Sequence, residues 1–211
     1  MSDQINKMDS QQLDIFKEIG NIGSGNAVTA LATMLNKEID MSVPSVKIVP
    51  FNEIVNILNG PESLVVGVLV GMSGDLNGYI LMLMDPQQAY EMTSLAFGQK
   101  RTPPEVLNDE TVDEMDRSAL TEMANILIGS YLSAICMLTN LTVMPSVPQL
   151  AIDMVGAIIS IVAIEYSQLG DSVLFLETQF ADENSSIAGH FFLIPENESY
   201  RVLMESLGVE L

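Results

Sequence analysis

The chain repeats itself, and the repeat limits its fold more than any other feature. A stretch from Asp14 to Pro44 returns 104 positions later, from Ser118 to Pro148, without a gap. The copies share Glu18/Glu122, Asn21/Asn125, Ile22/Ile126, Gly25/Gly129, Ala30/Ala134, Asn36/Asn140, Ser42/Ser146, Val43/Val147 and Pro44/Pro148. Those nine identities in 31 positions compare with about two expected at a chance rate of roughly one in fifteen. Further on, Tyr90/Tyr200 and Gly98/Gly208 agree at an offset of 110, so the likeness extends through the last helix. We therefore divide one domain, residues 1–211, into half-repeats 1–101 and 102–211, with Thr102-Pro103-Pro104 at the seam.

Each half reads as helix, strand, short helix, hairpin, helix. Asp9 or Ser10 caps the first helix, which shows Leu13, Phe16, Ile19, Val28, Leu31, Met34 and Leu35 on its apolar side and ends at Asn36-Lys37. Gly20, Gly23 and Gly25 would each cost an isolated helix up to about 1 kcal/mol relative to alanine. They serve either a close approach to a neighbour, which we expect, or a break. A strand over Val43–Val49 starts with Pro44, Phe51–Leu58 is a short helix, and Leu64–Met72 pairs with Gly78–Met84 around Ser73-Gly74-Asp75. Asp85-Pro86 opens a helix that closes near Gly98.

The second half follows suit, with a long helix from Asp113 to Asn140 and a strand at Gln149–Asp153. Met154–Tyr166 is rich enough in Ile and Val to be a strand. It reads as helix because its counterpart is the helical Phe51–Leu58 and Asp153 can cap it. Ser172–Phe180 and Ile187–Ile194 form a hairpin, and Pro195 opens the last helix. The predicted architecture is α/β of the α+β kind. A mostly antiparallel central sheet is covered by helices around a pseudo-twofold axis, with two long equivalent helices. Head-to-tail fusion of a homodimer would produce it.

Composition closes off several functions. Net charge is −20, from 28 acidic and 8 basic residues. Nucleic acids and anionic membranes are bound by clustered Lys and Arg, and no such cluster exists in this sequence. The most apolar runs, Leu64–Met72 and Val155–Ile164, are about ten residues, against the ~20 of a spanning helix. With no basic n-region and apolar stretch at the start, we expect a cytoplasmic protein without membrane insertion. The acidic stretch Asn108–Glu114 reads as a solvated linker and helix start. The single cysteine, Cys136, excludes internal disulfides and reads as a buried structural thiol. The single histidine, His190, falls in a strand away from the repeated residues. No His/Asp/Glu spacing suggests a metal site, so no cofactor is expected on this chain.

The repeated polar residues carry the chemistry. Positions i, i+4 and i+7 of a helix lie within about 60° of one another and span about 10.5 Å. Asp14, Glu18 and Asn21 thus form one ridge, and Ser118, Glu122 and Asn125 another. In one copy, an exposed glutamate and a backbone-bonding asparagine would be unexceptional. Their recurrence, while Lys17/Thr121 and Ile15/Ala119 diverge, favours function. Neither residue is a nucleophile of the Ser–His or Cys–His kind. An Asn amide can orient a water molecule, as a glutamine does in some GTPases, and a carboxylate can pair with a partner's lysine. The expected site is incomplete by itself and works when inserted into a partner that carries metal, cation and phosphoryl group.

The spacing Asp14…Glu18…Asn21…Pro44 and Ser118…Glu122…Asn125…Pro148 resembles the signature of the CheC/CheX/FliY phosphatase family. Two motifs in a chain of this length fit the CheC type. FliY carries an added motor-switch module, which we do not expect on this chain. The resemblance implies hydrolysis of the aspartyl-phosphate on the response regulator CheY, in chemotaxis adaptation. By that likeness Asn21 and Asn125 orient the attacking water, while Glu18 and Glu122 pair with the regulator's lysine. Asp14 and Ser118 support them, Pro44 and Pro148 are structural, and Mg²⁺ arrives with CheY-P. The resemblance also implies binding of CheD, a receptor glutamine deamidase, which we place on the segment around Asp153–Ile164. The alternative is an adaptor, mainly a CheD binder or a motor-switch-like protein without catalysis.

Overall fold

Alternating apolar residues organise the molecule into a sheet with a hydrophobic layer on each side. The computed structural model describes residues 10–165, 172–181 and 186–208. The expected cap at Asp9 and the expected helix end at Tyr166 lie outside the described residues. The strands are β1 (Asp40–Pro50), β2 (Leu64–Gly74), β3 (Gly78–Met84), β4 (Val143–Pro145), β5 (Gln149–Met154), β6 (Ser172–Ala181) and β7 (Ser186–Pro195). They form one sheet in the order β1-β6-β7-β3-β2-β4, with β5 also paired to β2. Each pairing is antiparallel.

The helices are α1 (Ser10–Leu35), α2 (Ile54–Ile57, after a 3-10 turn), α3 (Pro86–Phe97), α4 (Glu114–Thr139), α5 (Val155–Glu165) and α6 (Asn197–Ser206). Val66, Val68, Val70, Met82 and Phe191 point to the side of the sheet covered by α1, α3, α4 and α6. Val65, Leu81, Leu83, Phe175 and Phe192 point to the other, where Ile54 of α2 and Val155, Ile159 and Val162 of α5 cover them. Neighbours in sequence thus face opposite layers, as the two-residue strand period requires. Each fully buried side chain of this size contributes about 1.5–3 kcal/mol.

The long helices begin and end as their sequences direct. Asp113 caps α4 by accepting the Met115 N–H at 2.7 Å, and Asp85 caps α3 through the Gln87 N–H at 2.8 Å. Asn36 (φ 51°) and Asn140 (φ 57°) take the left-handed conformation that stops α1 and α4. Gly98 and Gly208 do the same after α3 and α6. By length and composition α4 would pass for a membrane span, with a mean hydropathy of 1.3 in its most apolar window. That apolarity is used internally: Leu120, Met123, Leu127, Ile128, Tyr131 and Ile135 are buried in the core.

Several local expectations are corrected. Pro44 lies within β1, where the register against β6 shifts between Ser42 and Ser45. An edge strand at a bulge can accept a residue without an N–H. Pro148 sits in the gap between β4 and β5, both of which run along β2. Ser146 fills that gap, donating its N–H to the Gly71 carbonyl at 2.8 Å and accepting the Gly71 N–H on Oγ at 2.9 Å. Asp153 does not cap α5; it ends up in β5 and accepts the N–H of Met154 at 2.7 Å. The first N–H groups of α5 are satisfied by main chain, Val155 on Ser63 and Gly156 on Pro61, each at 2.9 Å. Pro195 closes β7 and does not open α6. Cys136 is half-buried beside an open groove.

Candidate functional site

The burial pattern of α1 has one clear consequence for the repeated residues. Phe16, Ile19, Gly23, Ala27 and Leu31 are buried, so the opposite face, with Asp14, Glu18 and Asn21, is exposed. The same holds for α4, whose Leu120, Met123, Ala124 and Leu127 are buried while Ser118, Glu122 and Asn125 are exposed. Met34 and Leu35 at the end of α1 line the same groove as Met115 and Ser118 at the start of α4. The helices therefore run antiparallel, and the two ridges occupy opposite halves of the pair.

Among the described residues, no hydrogen bond ties down the side chains of Glu18, Asn21, Glu122 or Asn125. Asp14 alone is engaged, in an exposed ion pair with Lys17 at 3.2 Å, worth at most about 1 kcal/mol. A carboxylate and an amide left free on a rigid helix are available to a second molecule. Behind them, the fold fixes their position. Gly23 lets the helices touch: a Cβ there would lie 2.5 Å from Tyr131 Cδ1. Gly20 faces Val43 of β1, where a Cβ would stand 3.2 Å from Cγ1. These two glycines serve close approach, and α1 is unbroken through them.

The start of α4 is tethered by Arg101 and Asp116, neither of which stood out in the sequence. Arg101 makes a two-pronged contact with Asp116, Nε to Oδ1 at 2.9 Å and Nη2 to Oδ2 at 2.8 Å. Asp116 is almost fully buried, and the guanidinium also lies 5.2 Å from the centre of the Phe97 ring. The hydrogen bond that Arg101 donates to Asp116 raises the pKa of the guanidinium. Leu107 and Val112 are buried, and Asn108 Oδ1 accepts the N–H groups of Glu110 and Thr111 at 2.9 and 3.0 Å. The linker is thus folded onto the core. A separation of 15 residues between Arg101 and Asp116 leaves no periodic signal from which the contact could be read.

A groove of about 310 Å³ opens beside the second ridge, lined by Met34, Ala96, Phe97, Met115, Glu122 and Met123. Met34 and Met115 are exposed there. Methionine is flexible and polarisable, which suits it to a contact surface. Among the described residues no group of three or more His, Cys, Asp or Glu side chains is placed to hold a metal ion. His190 lies in β7, stacked on Phe175 with ring centres 5.7 Å apart, and burial lowers its pKa. Its neighbours on that face are those of α2 and α5, across the sheet from both ridges.

Comparison with known proteins adds an independent line. Residues 12–48 match the CheC-like family, and residues 66–161 match the chemotaxis phosphatase CheX family. Over 208 residues the chain is 37% identical to the CheY-P phosphatase CheC of Bacillus subtilis (strain 168), covering 98% of each. FliY of Thermotoga maritima is similar in structure, with a TM-score of 0.75 at 20% identity over 95% of this chain and 98% of that one. The FliM middle domain of H. pylori gives 0.66 at 9% identity over 94% and 99%. At those identities the two solved structures speak for the fold alone.

Proposed function

The chain belongs to the CheC-like family, and from that premise we propose that it hydrolyses the aspartyl-phosphate of the response regulator CheY. The observation that carries the reading is the pair of outward-facing ridges whose Glu and Asn side chains have no hydrogen-bond partner among the described residues. Asn21 and Asn125 hold a water molecule through their amides, in line with the phosphorus–oxygen bond to be broken. The water oxygen attacks phosphorus, the aspartate carboxylate leaves, and inorganic phosphate is released. Glu18 and Glu122 pair with the regulator's lysine and fix the docking register, with Asp14 and Ser118 supporting them. Mg²⁺ comes with CheY-P as part of the substrate. On a chain of net charge −20, few cations are at hand to neutralise a phosphoryl group, so the partner supplies that charge.

The test is the decay of phosphorylated CheY with wild type, Asn21→Ala, Asn125→Ala and the double variant. Loss of both amides should remove most of the acceleration, roughly 10–1000-fold by comparison with single-group effects elsewhere. Unchanged decay on adding stoichiometric wild-type protein would exclude the activity.

CheD binding is the second part of the reading. The outer side of α5 carries Ile161 and Ile164, 54% and 79% exposed, with Met154 at 50% beside Asp153. Large apolar residues grouped on one helix are unusual for a surface that meets only water. We assign this face to CheD. Asp153→Lys combined with Ile164→Glu should abolish the complex in a pull-down; retention of CheD by that variant would remove the assignment.

A further inference from the structure

A glycine inside a helix costs up to about 1 kcal/mol relative to alanine, so each such residue needs a reason. Gly20 and Gly23 have reasons inside the chain, namely their contacts with Val43 and Tyr131. Their counterparts in the second copy, Ala124 and Leu127, are not glycine. Gly25 and Gly129 are the opposite case. A Cβ added at either would meet nothing within 4 Å, and neither has the positive φ that favours glycine. Yet of the three glycines in α1 this is the one that recurs in α4.

Its position supplies the missing reason. Gly25 follows Glu18 by seven residues and Asn21 by four, and Gly129 is related to Glu122 and Asn125 in the same way. Seven residues return within about 20° around the axis and four within about 40°, some 6 Å further along. Each glycine therefore extends its Glu–Asn ridge by one turn. Gly25 is exposed, and Gly129 opens onto a groove that Ser133, Cys136 and Met137 also line. Asparagine has a short side chain. For its amide to hold a water against a phosphorus atom, the phosphorylated loop must come almost into contact with the helix. Any side chain one turn along the ridge would stand in that loop's way.

We propose that Gly25 and Gly129 are clearance positions, where the absent side chain lets the main chain of the phosphorylated receiver lie against the helix beside the Asn amide. The proposal rests on the phosphatase reading and adds to it a positioning residue in each site.

Alanine at these positions separates clearance from folding because the two effects have opposite signs. The double variant Gly25→Ala/Gly129→Ala should raise Tm by a few degrees, since alanine favours the helix and fits without contact. It should also raise KM for phosphorylated CheY, and Kd for beryllofluoride-loaded CheY, at least tenfold. Gly25→Gln/Gly129→Gln should raise both further, with kcat falling less than KM rises. KM and Kd within twofold of wild type in the alanine variant would overturn the proposal, as would a fall in Tm, which would assign the glycines to this chain's own packing. If wild type fails to hydrolyse the phosphoryl group, the phosphatase reading falls, and Kd alone then decides the role of the glycines.

Discussion

Tyr131 and Thr178 hold a hydroxyl–hydroxyl contact of 2.8 Å between α4 and β6, with both residues buried. Thr178→Val removes the phenol's partner without changing the shape of the site. We expect a loss of about 1–3 kcal/mol in urea unfolding, the cost of stranding a buried polar group. Adding Tyr131→Phe to that variant should recover most of it, because both polar groups are then gone. Burial pushes the Tyr131 phenol up to about 12, against the pull of the Thr178 hydrogen bond, and burial alone does the same at Tyr200. A folded-state value above the unfolded one keeps its stabilisation intact below pH 10 and loses it as pH rises towards 12. The urea midpoint should therefore fall between pH 10 and pH 12, and fall less steeply in Tyr200→Phe. Parallel slopes for the two proteins would show that the Tyr200 phenol does not govern the alkaline limit.

Helices α1 and α4 place both ridges, so their contact sets the geometry of the sites. At Gly23 a Cβ would also stand 3.2 Å from the Tyr131 Cα, where backbone cannot step aside. Gly23→Ala should cost about 1–3 kcal/mol through overpacking despite alanine's better helix propensity. Gly25→Ala, two residues along the same helix, should do the reverse, and equal effects at the two positions would contradict this packing. Asn36 and Asn140 stop the helices in a conformation that costs a residue with a Cβ about 1–2 kcal/mol. Asn140→Ala should thus destabilise, while Asn140→Gly should be tolerated, as thermal melts can establish. At this scale much was legible in the sequence. The ridges were readable because polar residues at i, i+4 and i+7 share one side of a helix and because they recurred at an offset of 104. The buried side was legible only in part, since Gly23 and Ala27 belong to it while Val28 is half-buried and Met34 is exposed. The helical state of Val155–Glu165, against its β-branched composition, followed from comparison with the other half. The register shift at Pro44, the broken β4–β5 strand at Pro148 and the main-chain capping of α5 depend on neighbours far away in sequence. No local period records them. The groove beside Glu122 was missed for the same reason, since Met34, Phe97 and Met115 meet only in the fold.

The sheet order determines how the molecule holds together as a whole. Residues 1–101 supply β1, β2 and β3, and residues 102–211 supply β4 to β7. In the sheet, β1 leaves its own half and pairs with β6, while β4 and β5 pair with β2. The centre is the β3–β7 pairing, which also joins the halves. The β2–β3 hairpin is the only ladder inside the first half and the β6–β7 hairpin the only one inside the second, among the described residues. An isolated two-stranded hairpin is marginal in water, and in either half both edges would be left bare. We therefore treat the halves as copies in sequence that form one cooperative unit. Cutting the chain at Thr102–Pro104, in the segment between α3 and α4, tests this directly. Residues 1–101 and 102–211 produced separately should lack a cooperative melt and protected amides. Mixed at equal concentration, they should regain both, because every inter-half ladder can re-form around the α1–α4 contact. Melting of the mixture should depend on concentration, as association requires. A stable, cooperatively melting fragment 1–101 by itself would show that the exchanged edge strands are dispensable.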